Sequence, residues 1–75
     1  MTKSVNLFDV VALTQSLPKL GLYRGQVGTI VEELAADTFE VEFSDNNGTT
    51  YATAPVGSKD LIVLHYHPLD EEAVA

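Results

Sequence analysis

The sequence predicts an all-β domain, a small SH3-like barrel of about five short antiparallel strands with a long loop after the first strand. Short β-branched runs and one clean period-two stretch stand where a helical period would have to be. Gly, Pro, Asn and Asp cluster between those runs at turn spacings. The 75 residues leave room for one domain, and a chain this short buries only about 60% of the surface that its unfolded form exposes. The core is therefore marginal, and a homodimer or a bound partner would supply the missing burial.

Residues 1–6 are polar and without period, which predicts a flexible arm with order beginning near Leu7; the barrel is expected over 7–66. Val10–Leu13 is short and β-branched and makes the first strand. From Thr14 to Gly25 the spacing of Pro18, Gly21 and Gly25 breaks any regular element. Leu17, Leu20 and Leu22 give this long loop an apolar underside that closes one end of the barrel.

Val27–Leu34 is the second strand, and its imperfect alternation calls for a bulge, placed at Gly28. After a turn at residues 35–38, Phe39, Val41 and Phe43 alternate with Glu40 and Glu42 and point inward. The run Ser44–Gly48 closes a hairpin, with Asn47 and Gly48 able to take positive φ. Thr49–Ala54 returns as the fourth strand. Residues 55–60 connect, with room for one helical turn, to a last strand Leu61–Leu64 that is apolar on both faces. Residues 67–75 form an acidic tail with nothing to bury, expected to be disordered.

Composition excludes several classes of function. Eleven acidic against four basic residues give a net charge of −7, the wrong sign for tracking phosphates, so nucleic acid is disfavoured as a partner. The absence of cysteine removes disulfides, thiolate metal sites and thiol nucleophiles and fits a cytoplasmic protein. No apolar stretch approaches the ~20 residues of a membrane span, and no signal segment is present, so no membrane role is expected.

Candidate sites follow from the strands. Glu32, Glu40 and Glu42, with Asp45 close by, fall on two strands that should pair, and Tyr51 offers an exposed ring beside them. Like charges opposite one another repel, and a basic partner surface relieves the repulsion. Gly25-Gln26-Val27-Gly28 followed by Thr-Ile-Val resembles the start of KOW-type barrels. That resemblance implies an alternative, RNA or ribosome binding through the Arg24-Gly25-Gln26 turn, although Arg24 is the one cation near it. His65 and His67 point the same way on an extended chain, and Asp70 or Glu71 would be needed to complete a metal site, an open arrangement that is set aside. The Leu17-Pro18 loop with Tyr23 lacks the aromatic groove that proline-rich ligands need. No serine or threonine has a base beside it, so the chain reads as non-catalytic, with no cofactor and no metal.

Three blocks in order, Leu17-Pro18, then Gly21-Leu22-Tyr23-Arg24-Gly25-Gln26-Val27-Gly28-Thr29, then Val41-Glu42-Phe43-Ser44-Asp45, resemble the bacterial domain of unknown function 4926. The resemblance runs from about Leu7 to Leu64 and implies a stand-alone small β-barrel without assigned activity. It carries no catalytic residues over, and residues from His65 onward lie beyond it. The function expected is a small binding module of the antitoxin, immunity-inhibitor or accessory-subunit kind, docking on a basic protein surface through its acidic face.

Overall fold

The computed structural model describes residues 5–68. Five strands form one antiparallel sheet: β1 (Val10–Leu13), β2 (Val27–Ala35), β3 (Thr38–Ser44), β4 (Thr50–Gly57) and β5 (Leu61–Val63), in the spatial order β4-β3-β2-β1-β5. Short 3₁₀ turns at Pro18–Leu20 and Ser58–Asp60 interrupt the long loop and the last connection. No helix among the described residues is long and apolar enough to cross a membrane.

Alternation puts the core on one face of the sheet. Val11 and Leu13 of β1, Ile30 of β2, Phe39, Val41 and Phe43 of β3, Ala54 and Val56 of β4 and Leu61 of β5 are buried there. Leu22 reaches in from the long loop, which its neighbour Leu17 clamps by a two-way bridge, Leu17 N–H to Leu22 O at 2.8 Å and the reverse at 3.2 Å. Leu20, by contrast, is half exposed, so Leu22 alone of the three loop leucines is fully buried. Val5 already packs on the core, and Asn6 opens a turn with Asp9. Engaged chain therefore precedes Leu7.

The closed SH3-like barrel expected from the sequence is not what forms. The pairing order leaves β4 and β5 as two edges with no ladder between them. They are nonetheless tied end to end through the three-residue turn Ser58–Asp60. Two reasons for the missing ladder are visible in the strands themselves. β5 is only three residues long and gives one side to β1. β4 carries Pro55, which brings no N–H to a further strand, the device that sheet edges use against unwanted pairing. The strand itself runs through Pro55 to Gly57, past the end expected at Ala54.

The expected bulge at Gly28 also lies elsewhere. Gly28 is in register with Val11 on one side and Phe43 on the other, and the irregularities fall between Ile30 and Glu32 and between Glu33 and Ala35. Val31 and Leu34 are the extra residues. Glycine is required at 28 for a different reason: a Cβ there would stand 2.6 Å from Val41 Cγ1 and 2.9 Å from the Glu42 carbonyl oxygen. The neighbouring backbone approaches too closely for any side chain.

A further bulge lies at the entry to β1. Phe8 N–H donates to Ile30 O at 2.8 Å, while Ile30 N–H donates to Asp9 O at 3.0 Å, so Phe8 and Asp9 together oppose one residue of β2. Phe8 has φ +69°, the position that a G1 bulge normally gives to glycine. Asp9 secures the turn before it, its N–H donating to Asn6 O and its Oδ2 accepting from Asn6 N–H at 2.9 Å.

Candidate acidic face

The β2–β3 register builds the candidate site. Phe39, Val41 and Phe43 face the core, so Glu40 and Glu42 face the other way. The bulge at Val31 resets β2 so that Glu32 lies directly opposite Glu40, while Glu42 lies between Thr29 of β2 and Thr53 of β4. Without that extra residue Glu32 would turn to the core face, because a one-residue slip inverts a strand. The register thus brings Glu32, Glu40 and Glu42 to one outer surface.

No Lys or Arg lies on β2, β3 or β4. Between Val27 and Ser58 the sequence holds six carboxylates, Glu32, Glu33, Asp37, Glu40, Glu42 and Asp45, and no Lys or Arg. Among the described residues the ion pair is Lys59 Nζ to Asp60 Oδ2 at 3.0 Å, at the far corner of the sheet. Glutamates opposite one another on paired strands have Cβ atoms about 5 Å apart and destabilise the pair by roughly 0.2–1 kcal/mol.

Asp45 and Tyr51 have other local engagements. Asp45 Oδ1 accepts Asn47 N–H at 2.9 Å and Thr49 N–H at 3.0 Å, holding the hairpin turn in which Gly48 has φ +81°. Tyr51 lies at the irregularity where Ser44 pairs Thr50, and its ring centroid is 6.4 Å from that of Phe43. Tyr51 is nonetheless 48% exposed, on the strand that flanks Glu40 and Glu42. A second exposed aromatic lies on the other flank: Phe8, 73% exposed, has its backbone hydrogen-bonded to Ile30 of β2, the strand that carries Glu32. Sequence reasoning passed over Phe8 because nothing in Asn6-Leu7-Phe8-Asp9 advertises a positive φ.

The Arg24-Gly25-Gln26 turn is closed on itself. Tyr23 N–H donates to Gln26 Oε1 at 2.6 Å, Arg24 N–H to Ser16 Oγ, Gly25 N–H to Leu13 O and Gln26 N–H to Tyr23 O. A phosphate-cradling nest needs several such N–H groups unengaged, whereas here all four have internal acceptors. Gly25, at φ +93°, serves that turn geometry. A shallow groove of about 300 Å³ on the same loop is lined by Ser16, Leu17, Pro18, Lys19 and Leu20, with no aromatic ring in it. His65 and His67 are exposed, and among the described residues no three His, Cys, Asp or Glu side chains come together to hold a metal. Asp70 and Glu71, and most of the tail expected to be disordered, lie outside the described residues.

Fold and surface together define a small antiparallel β module with an open sheet and one acidic outer surface. The chain belongs to the family described as "Domain of unknown function (DUF4926)", whose pattern matches residues 7–63. Comparison with curated proteins and with solved structures returned no match.

Proposed function

We propose that this protein is a non-catalytic, cytoplasmic binding module that docks on a basic protein surface through Glu32, Glu40 and Glu42, with the exposed Tyr51 on the β4 side and the exposed Phe8 on the β1 side as flanking rings. The observation that carries the reading is the register placing Glu32 opposite Glu40 on strands that hold no Lys or Arg. A like-charge pair of this kind weakens the free protein, and a cationic partner reverses the sign of its contribution. An inhibitor of a basic protein, or an accessory subunit of a larger complex, fits this chemistry. A homodimer is compatible with the reading, since it would present two such surfaces.

The test pairs two measurements on the same variants. Glu40→Gln is expected to raise the urea midpoint, by a stability of about 0.2–1 kcal/mol, while weakening partner capture from native lysate. The double reversal Glu40→Lys with Glu42→Lys should abolish capture, and capture by the natural sequence should decline as salt is raised. Capture that is insensitive both to salt and to charge reversal would sink the proposal.

A further inference from the structure

The two edges of the sheet are treated differently. β4 runs through Pro55, which has no N–H to offer a further strand, whereas β5 and the residue after it, Leu61-Ile62-Val63-Leu64, contain no charge, no proline and no glycine. Edges left in that condition are templates for a further strand. The hydrogen bonds Thr14 N–H to Asp60 O and Leu64 N–H to Val10 O, with the register Ala12 to Ile62, give the even-numbered residues of β5 to β1. Val63 therefore turns its N–H and C=O to the open side.

The outer surface beside this edge is apolar. Ile62 is 52% exposed and lies opposite Ala12, which lies opposite the exposed Val27; Leu64 and Val10 form the adjoining row. Charge is segregated along the sheet. β1 and β5 carry none, Asp9 and Asp60 at their ends are engaged by Asn6 and Lys59, and the run of six carboxylates lies on β2, β3 and their turns. For a chain of net charge −7 a second copy meets repulsion at most approaches. Among the described residues, the β5 edge is the approach that keeps the six-carboxylate runs of the two copies at opposite ends of the combined sheet.

We infer that the β5 edge is a self-association surface, pairing antiparallel with β5 of a second copy to make a continuous ten-stranded sheet with Ile62 and Leu64 of both copies in one apolar cluster. A pairing this short buries less than a standard stable interface, so the dimer forms at micromolar to millimolar concentration and is transient. It does not depend on the acidic surface having a partner.

Sedimentation equilibrium across that concentration range tests it. The natural sequence is expected to shift from monomer to dimer. Ile62→Lys, which puts a cation on the outer cluster, and Val63→Pro, which removes the outward N–H, should each weaken dimerisation at least tenfold. Thr53→Lys on the opposite edge should leave it unchanged. Amide exchange on the unmodified protein supplies a readout that survives a misfolding variant: protection at Val63 should rise with protein concentration. A monomer at every concentration, a dimer indifferent to both β5 variants, or concentration-independent exchange at Val63 would each overturn the inference. Loss of the dimer on Thr53→Lys with none on Ile62→Lys would overturn it as well, by moving the contact to β4.

Discussion

Phe8 holds a left-handed backbone that costs an L-residue about 1–2 kcal/mol and costs glycine nothing. Replacing it by glycine returns part of that gain, about 0.4–1 kcal/mol, through a more flexible unfolded chain. The ring is mostly exposed, so little packing is lost. Phe8→Gly should therefore stabilise the fold by about 0.5–1 kcal/mol in urea unfolding while weakening partner capture. A destabilised variant would mean that the ring contributes packing after all. Gly28 behaves in the opposite way. A methyl there meets Val41, the Glu42 carbonyl and Phe43 at 2.6–3.0 Å, and since a backbone oxygen cannot rotate away, Gly28→Ala should cost about 3 kcal/mol or more. Gly48→Ala, in open space at φ +81°, should cost about 1 kcal/mol. Both glycines are visible in the sequence as special positions. The kind of speciality is not, because a bulge and a close cross-strand approach differ only in what lies opposite, and that is a long-range fact.

At the scale of elements, β3 and its hairpin turn into β4 are where local pattern sufficed. Alternation through Phe39, Val41 and Phe43 sets the inward face of β3, and the Asp45–Gly48 turn chemistry sets the hairpin. The same alternation brought Glu40 and Glu42 to one surface and, with the bulge at Val31, Glu32 as well. The sequence reading stopped β4 at Pro55 because proline ends strands in general; it persists here because β4 has a neighbour on one side only. Asp45 separates a turn role from a docking role. Asp45→Ala removes the acceptor of two N–H groups and should cost about 1 kcal/mol. Partner capture by the folded variant should be unaffected, as measured beside Glu40→Gln. Asp60, buried at the other corner with the 83%-exposed Lys59 as its ion-pair partner, is expected to matter more than that partner. Lys59→Ala should cost under about 1 kcal/mol, the ordinary value for a pair with one end in water.

For the molecule as a whole, a net charge of −7 on a small domain makes salt act in two directions. Screening beyond a Debye length of about 10 Å at 0.1 M weakens self-repulsion, so the thermal midpoint should rise with sodium chloride while partner capture declines. Midpoint and capture that move together would argue against the acidic surface as the source of both. Barrel closure was the part of the architecture least readable from the chain, since strand number, turn spacing and loop length are alike for an open sheet and a closed one. The difference rests on whether β4 and β5 pair, and no local pattern reports that. The order of assembly follows from the topology. β2, β3 and β4 pair with sequence neighbours, whereas Val11 must find Val63 near the far end of the chain. Non-local closure is slow, so the meander can form early and β5 docks last. On a translating ribosome β1 waits with one side uncovered until residue 63 has emerged, and during that wait another copy's β5 is as good a match for it as its own.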